Sequence, residues 1–287
     1  MSNEYIADWA EGLLIRLGKA SLPLSSLEGE LKTQFSINQR DASFVIQILS
    51  RRSKLLKEKY PFNVGNLAIE VKPNFDEIPY TTLISLSIVL SEGWCAKTKE
   101  IPRNLPELFE EISCDAMIRL LGEGSCGLRF GWPSSIGRPR EFPAAISWLA
   151  KKMKIRIGNS YRPPKMKDGG VDVVAWRPFI DGNPGFPILL GQVTIEKDFE
   201  YKADDIDLRI WAGWLSLDLE PTVVLAVPWT EINKEVWLRV SSRALLLDRI
   251  RIASLLPKIF TTEECPDYLD RCDELVKFVR LNFTLNS

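Results

Sequence analysis

One segment near the middle of the chain constrains the fold more than any other. It contains two apolar, β-rich runs, residues 171–176 and 188–193, and between them a stretch of Asp, Gly, Asn and Pro at residues 181–185. Residues of those types reverse the direction of a chain, and short β-rich runs on either side of such a stretch are typical of a hairpin. The segment therefore predicts two neighbouring strands that are joined by a long connection.

Two polar residues interrupt these runs, Asp172 in the first and Gln192 in the second. A polar group in a buried strand requires a hydrogen-bonding or ionic partner. Mg²⁺ binds carboxylate and carbonyl oxygens and retains several waters, so a site with few protein ligands is sufficient for it. The pair is therefore predicted to bind one divalent metal ion, and this prediction requires the two side chains to converge.

The absence of histidine from all 287 residues excludes whole classes of mechanism. Ser-His-Asp and Cys-His hydrolysis, His-ligated zinc and histidine-based general base catalysis all require that residue. The five cysteines are odd in number and include no C-x-x-C pair, which argues against a disulfide framework and a thiolate zinc site. Chemistry in this chain is left to carboxylates, amides, lysines and a bound metal.

The overall composition is that of a globular protein, because 45% of the residues are hydrophobic and the chain is long enough to bury a substantial core. No apolar run reaches the length of about 18 residues that a membrane-spanning helix needs. The first residues, MSNEYIADWAEGL, lack the basic and then apolar order of a signal peptide. We therefore expect a cytoplasmic protein with no membrane partner.

The first half of the chain is predicted to be mostly helical, because apolar residues recur at helical spacing. The predicted helices are 6–17, 24–35, 41–60, 81–94 and 105–121. A Gly-Asn turn and a β-rich run at residues 63–72 follow the third helix. Three helices followed by a hairpin are the element order of a winged helix, so a winged-helix transcription regulator is one alternative, although many helical domains share that order.

The second half of the chain predicts a different architecture. A Gly-rich stretch at residues 122–140 indicates a boundary, so we expect a helical domain of residues 1–125 and a second domain of residues 126–287. The predicted elements are a helix at 141–153, strands at 154–157, 171–176 and 188–193, a helix at 198–217, a strand at 222–227, and helices at 231–256 and 267–282. Their order is α-β-β-β-α-β with helices at the C-terminus, and the fold class is therefore α+β.

That order, with DGGVD at residues 168–172 and Gln192-Val193-Thr194 in the next strand, resembles the PD-(D/E)XK superfamily of restriction endonuclease-like nucleases. The pattern is most similar to Mrr-type nucleases and related bacterial anti-phage effectors, in which a DGGxD strand precedes a Q-x-K strand. The resemblance covers residues 141–227. It implies a restriction-endonuclease-like core, Mg²⁺ or its substitute Mn²⁺ held by Asp172 and Gln192, and hydrolysis of phosphodiester bonds, particularly of DNA, in phage defence.

Thr194 departs from this pattern, because it stands where the resembled nucleases have a lysine. A hydroxyl can orient a water molecule, but it cannot supply positive charge to a developing anion. Lys197, just beyond the strand, and Lys202, in the predicted helix, are the available substitutes, and Lys202 is preferred. The resemblance also assigns Glu141, at the start of the predicted core helix, as an extra metal ligand, although the helix dipole explains an acid there equally well.

A basic segment precedes the predicted metal site, since every charged residue between positions 151 and 167 is Lys or Arg. Although the net charge of the chain is −1, this local charge favours phosphate. Arg162, Lys165 and Lys167 are predicted to contact the phosphates of a nucleic acid. A solvated helix end and loop would account for the same residues.

Two interpretations of the function remain open at this point. The first is an active metal-dependent endonuclease. The second is a catalytically degenerate nuclease-fold subunit that binds nucleic acid or a partner protein without cleaving, in which the absence of the strand lysine marks lost activity. A partner protein of a defence system and a homo-oligomer are compatible with both interpretations. For the nuclease, a homo-oligomer would supply the two sites that cutting two strands takes.

Overall fold

In the computed structural model of the protein, residues 2–18, 21–91, 101–133, 136–164, 168–230, 233–261 and 268–283 are described. The chain forms two compact units, one of Met1–Leu108 with Arg249–Ser287 and one of Phe109–Asp248. Helices and two β-sheets occur together, which confirms the predicted α+β class. Among the described residues, each helix is too short or too polar to cross a lipid bilayer.

The helices are α1 (Asn3–Leu17), α2 (Leu24–Phe35), α3 (Gln39–Leu56), α4 (Pro79–Leu90), α5 (Leu105–Leu121), α6 (Phe142–Met153), α7 (Leu208–Trp214), α8 (Lys234–Ser241), α9 (Arg249–Leu255) and α10 (Leu269–Asn282). The strands are β1 (Ser21–Pro23), β2 (Phe62–Val64), β3 (Ala68–Val71), β4 (Cys126–Arg129), β5 (Val173–Trp176), β6 (Ile188–Val193), β7 (Thr222–Ala226) and β8 (Leu245–Leu247). Short 3₁₀ turns occur at Lys57–Lys59, Phe75–Glu77 and Glu200–Asp204.

The first unit begins with the order α1-β1-α2-α3-β2-β3, and β1 and β2 both pair antiparallel with β3. Three helices followed by a hairpin are therefore present where the sequence predicts them. Helix α1 begins at Ser2, whose hydroxyl accepts a hydrogen bond from the Tyr5 N–H, and ends at Gly18, whose φ of 54° suits glycine. The largely buried helix α4 packs against α1, α9 and α10 in the same unit.

Charged side chains are buried at the centre of the first unit. Arg52 of α3 forms ion pairs with three acids of α1, which are Glu4, Asp8 and Glu11. Arg249, at the start of α9, pairs with Asp8 as well. Buried charges are costly unless they are paired, so these contacts join α9 to α1 and α3. They account for the return of the chain to the first unit after residue 248.

The second unit contains a five-stranded sheet of order β4-β5-β6-β7-β8. The β4–β5 and β5–β6 pairs are antiparallel, whereas the β6–β7 and β7–β8 pairs are parallel. Helix α5 packs closely on one face, because a Cβ atom at Gly191 would lie 2.9 Å from the sulfur of Met117. Side chains of α6 and α7, including Leu149 and Trp211, form a core with residues of β5, β6 and β7 on this sheet.

The predicted hairpin is confirmed, since β5 and β6 occupy the two runs and pair antiparallel. The strand predicted at 154–157 is wrong, because only Ile157 makes an isolated bridge, with Leu215. The first strand of the sheet is instead β4, within the Gly-rich stretch expected to be a boundary. Its sequence gives no strong strand signal, but Gly127 permits close contact with α5, where a Cβ atom would lie 2.7 Å from Ile118.

Two long predicted helices are also interrupted. The segment 198–217 forms a 3₁₀ turn and then α7, which Asp207 begins by accepting main-chain hydrogen bonds from residues 209 and 210. In the segment 231–256, Leu245–Leu247 pairs with β7 as strand β8. Short apolar runs do not distinguish helix from strand by periodicity, so pairing with an existing sheet decides their structure.

The observed units differ from the predicted domains. The helices and strands follow one another in the order α5-β4-α6-β5-β6-α7-β7, so β4, the neighbour of β5 in the sheet, comes before α6 in the chain and not after it. The boundary expected after residue 125 therefore falls between α5 and β4, inside the second unit. Helices α9 and α10 belong to the first unit, because they pack on α4, α3 and α1.

Candidate active site

Asp172 lies where the pairing of β5 and β6 ends. Val173, the first residue of β5, pairs with Gly191 of β6. The N–H of the preceding residue, Asp172, donates to the Gly191 carbonyl at 2.8 Å. The Asp172 carboxylate then accepts a hydrogen bond from the Val193 N–H at 2.7 Å through Oδ2. The side chain thus replaces a main-chain acceptor at the end of the ladder, which fixes the carboxylate beside β6.

The residues that follow β4 form hydrogen bonds with the main chain of Asp172. The N–H groups of Phe130 and Gly131 donate to the Asp172 carbonyl at 2.6 and 3.0 Å. A Cβ atom at Gly131 would lie 3.3 Å from Asp172 Oδ1 and 3.6 Å from Glu110 Oε2. These two carboxylate oxygens therefore border the same small volume above Gly131.

Glu110 is a candidate site residue that the sequence did not indicate. It lies on α5, and its Oε2 accepts from Arg129 of β4 at 2.9 Å through Nε, with Nη2 at 2.8 Å. Arg129 is itself buried and also lies 3.6 Å from Glu111. A Glu-Glu pair in an amphipathic helix was a visible signal, but without strand β4 nothing connected that helix to Asp172.

The electrostatic environment of Asp172 is unusual for an acid. Burial raises the pKa of Asp172 to about 8, and the negative charges of Glu110 and Asp168 act in the same direction. The hydrogen bond from Val193 and the positive charge of Lys202 oppose this rise in pKa. Without further positive charge the carboxyl is mostly protonated at neutral pH, and a nearby cation would favour its ionised form.

Gln192 occupies the β6 position between Gly191 and Val193, the two residues whose main chain bonds to Asp172. It pairs with Leu225 of β7 and is half-buried. By strand alternation its side chain leaves β6 on the face opposite to Gly191, away from α5. The convergence of the Asp172 and Gln192 side-chain oxygens on one ion stays a prediction.

Thr194 lies just beyond β6 and is buried. Its N–H donates to the Ala226 carbonyl at 3.0 Å, which extends the contact with β7 by one residue. Its hydroxyl accepts a hydrogen bond from the Glu196 N–H at 3.1 Å. The side chain therefore stabilises the turn that leads away from the sheet.

The two candidate lysines have different surroundings. Lys202 lies in the 3₁₀ turn after β6, with Nζ 3.3 Å from Glu196 Oε1, and its charge lowers the pKa of Asp172. Lys197 has its Nζ 5.9 Å from the centre of the Trp229 ring. The preference for Lys202 over Lys197 stays a prediction.

The remaining predicted site residues are peripheral or outside the described chain. Glu141 is exposed immediately before α6 and forms no capping hydrogen bond with its side chain. Arg162 is exposed, and its carbonyl accepts from Trp214 Nε1 at 2.8 Å. Lys165 and Lys167 lie outside the described residues.

The available ligands suit a metal that is completed by water and substrate. Across the described parts of the chain, no group of three or more Asp, Glu, Cys or His side chains is arranged to hold a metal ion. Mg²⁺ commonly uses one or two carboxylates and takes its other oxygens from water and phosphate. The carboxyl groups of Asp172 and Glu110 meet that requirement, and a cation above Gly131 would favour the ionised form of Asp172.

A scan against protein-family models and searches of the curated proteins and of the solved structures found no match to this chain. The functional interpretation therefore depends on two features of the second unit. They are the mixed sheet and the acidic site at the junction of β4, β5 and β6.

Proposed function

We propose that this protein is a Mg²⁺-dependent nuclease, with Mn²⁺ as a substitute ion, that hydrolyses phosphodiester bonds, particularly of DNA. The observation that carries the proposal is the position of Asp172, held by main-chain bonds to β6 and to the end of β4, and facing Glu110. The order α5-β4-α6-β5-β6-α7-β7 supports it, because it contains the α-β-β-β-α-β order of the resembled nucleases with α6 inserted between the first two strands. The resemblance implies phage defence as the setting.

Asp172 and Glu110 would hold the metal, with water and substrate oxygens completing its coordination. Bound Mg²⁺ stabilises negative charge in the transition state of phosphoryl transfer and lowers the pKa of a bound water. The raised pKa of Asp172 suits this role, because the carboxyl releases its proton when a cation approaches. Glu110 takes the place that the resemblance assigns to Glu141, since α5 precedes the first strand of the sheet.

Lys202 would supply the positive charge that Thr194 cannot. Its positive charge is one of the influences that lower the pKa of Asp172. A salt bridge of 3.3 Å with Glu196 holds that group, and the Thr194 hydroxyl holds the turn that carries Glu196. Orientation of the lysine by this turn would compensate for its displacement from the strand.

Exposed basic residues of the segment after α6 would contact the phosphates of the substrate. Lys154, Arg156 and Arg162 are all exposed in this segment. Removal of one phosphate contact is expected to weaken nucleic-acid binding and to reduce its dependence on salt. Cleavage chemistry at a saturating substrate concentration should be affected much less.

The rival function is binding of nucleic acid, or of a partner protein in a defence system, without cleavage. The specific observation that favours it is the Arg129–Glu110 pair, because a guanidinium already neutralises one of the two carboxylates. In that case Asp172 would remain protonated at neutral pH and would serve as a hydrogen-bonding residue of the fold.

A metal-dependent cleavage assay distinguishes the two functions. Plasmid, linear duplex and single-stranded DNA, and RNA, are incubated with the purified chain and Mg²⁺ or Mn²⁺. We expect DNA cleavage, and a loss on the order of 10²-fold or more in Asp172→Ala. Asp181→Asn, which changes an exposed carboxylate in the hairpin connection, is the matched control and should retain activity.

Two outcomes would reject the nuclease. The first is that the wild-type chain leaves every substrate intact with both metals, alone and together with the products of neighbouring genes. The second is that Asp172→Ala cleaves as rapidly as the wild type. In the first case, retained nucleic-acid binding would favour the degenerate subunit.

A further inference from the structure

Helices α2 and α3 form a helix-turn-helix in the first unit. Residues 36–38 connect them, and the side chain of Asn38 caps α3 by accepting a hydrogen bond from the Asp41 N–H at 3.0 Å. Gln39 joins the two helices, since its amide donates to Glu28 at 2.6 Å and its carbonyl oxygen accepts from Lys32. A short turn of this kind presents the second helix of a pair to the major groove of DNA.

The exposed face of α3 has a single sign of charge. Arg40, Phe44, Gln47, Arg51 and Lys54 are exposed at spacings of three and four residues, which places them on one side of the helix. Every exposed charged residue of α3 is basic. The opposite side is buried in the core of the unit through Ala42, Val45, Leu49 and Leu56.

The three basic residues are available to a ligand. Arg40, Arg51 and Lys54 form no ion pair with another residue in the described part of the chain. The guanidinium of Arg40 instead lies 5.5 Å from the centre of the Phe44 ring, on the outer face of the helix. A row of unpaired cations interleaved with an amide and an aromatic ring is complementary to a polyanion with hydrogen-bonding edges.

Each residue type on this face has a defined counterpart on DNA. Arg binds the acceptors of guanine, Gln binds adenine, and an aromatic ring contacts the methyl group of thymine. The N-terminal part of the second helix contacts the base edges in helix-turn-helix complexes, and Arg40, Phe44 and Gln47 all lie there. Arg51 and Lys54, nearer the C-terminus, would bind phosphates. The deep and narrow major groove of an RNA duplex would exclude such a helix.

We infer that the first unit binds duplex DNA through α3, and that Arg40, Phe44 and Gln47 give the protein a sequence preference. This site is separate from the proposed nuclease centre and requires neither a metal nor Asp172. The chain would then carry a sequence-reading surface in its first unit and a cleavage centre in its second.

The test uses the full chain with Asp172→Ala, in EDTA, so that cleavage cannot affect the measurement. Fluorescently labelled DNA duplexes are selected from a randomised pool, and binding is followed by anisotropy at several salt concentrations. We expect an enriched sequence that is bound more tightly than the unselected pool. Arg40→Ala and Gln47→Ala should each lose about tenfold or more in affinity for the selected duplex and should approach the affinity for the pool.

Arg51→Ala provides a different signature. It should weaken binding to selected and unselected duplexes equally. The slope of a plot of log affinity against log salt concentration should decrease in magnitude by about one. Lys277→Ala, which removes an exposed cation from α10 in the same unit, is the control and should change neither quantity. Circular dichroism of each variant confirms that the fold is intact.

Three results would overturn the inference. They are a pool that yields no enriched sequence, equal affinity for selected and random duplexes, and Arg40→Ala binding that matches that of Lys277→Ala. Failure of the nuclease proposal is separately detectable, because it appears as absent cleavage while sequence-dependent binding persists.

Discussion

Asp172 Oδ2 accepts a hydrogen bond from the Val193 N–H at 2.7 Å, so a side chain ends the β5–β6 ladder in place of a main-chain carbonyl. This single contact fixes the carboxylate in the sheet and partly offsets the cost of burial. The pKa of Asp172 nevertheless rises to about 8, because burial has the larger effect. Several measurable properties of the protein should depend on this balance.

Stability should fall as the pH rises when no metal is present. The pKa of Asp172 in the folded protein, about 8, lies above its ordinary value of 3.8, so the folded state holds its proton more tightly than the unfolded state. Its contribution to the free energy of unfolding is therefore full below pH 3.8 and is lost as the pH rises towards 8.

Asp172→Asn removes this titration and should reduce the pH dependence. The measurement is urea denaturation in EDTA between pH 5 and pH 8, and the variant should gain in relative stability as the pH rises. Identical pH profiles for the wild type and Asp172→Asn would show that the carboxyl is ionised throughout that range.

Metal binding should release a proton from the same group. Below the pKa of Asp172, of about 8, one proton leaves for each ion bound, so affinity for Mg²⁺ should rise about tenfold per pH unit. Calorimetric titration at pH 6.5 and 7.5, in buffers of different ionisation enthalpy, measures both the affinity and the proton count. A pH-independent affinity with no proton release would exclude Asp172 as a ligand.

Substitutions of Glu110 and Glu141 should differ in their effects on Mg²⁺ binding and on the pKa of Asp172. Glu110→Gln should weaken Mg²⁺ binding and lower the pKa of Asp172, because it removes a ligand and a like charge. Glu141→Gln changes an exposed residue before α6 and should leave both quantities unchanged. Calorimetry and NMR titration of the Asp172 carboxyl would check this, and a larger effect of Glu141→Gln would restore the assignment expected from the sequence.

Gly131→Ala should perturb the site without unfolding the protein. The added Cβ would lie 3.3 Å from Asp172 Oδ1 and 3.6 Å from Glu110 Oε2, within the volume that a metal requires. We expect a loss of Mg²⁺ affinity of about tenfold or more, with a stability change below ~2 kcal/mol. Gly29→Ala is the control, because its Cβ would meet no atom within 4 Å, and it should leave the affinity unchanged.

The buried charges of the first unit should make a large contribution to stability. Arg52→Ala leaves Glu4, Asp8 and Glu11 without their shared partner and should destabilise the fold by ~3–5 kcal/mol. Arg51→Ala, at the exposed neighbouring position, should change stability by less than ~0.5 kcal/mol. Denaturant titration compares the two, and equal midpoints would show that the buried pairs contribute no net stabilisation.

Local patterns in the sequence predicted much of the architecture. The hairpin at residues 171–193, the first three helices and the α+β class all follow from apolar periodicity and turn residues, and all are present. Strands β4 and β8 were missed, because a run of three or four residues carries no distinctive period. Their structure comes from pairing with β5 and β7, which are distant in the chain.

The candidate site, like the fold, was predicted from the sequence only in part. By itself, the sequence identified Asp172 and Gln192 as polar interruptions of buried strands, since burial makes such residues conspicuous. Only the tertiary structure placed Glu110 beside Asp172, because 62 positions separate them and strand β4 with Gly131 brings α5 to the sheet edge. The raised pKa was decided there too, because burial and neighbouring charge are properties of the folded chain.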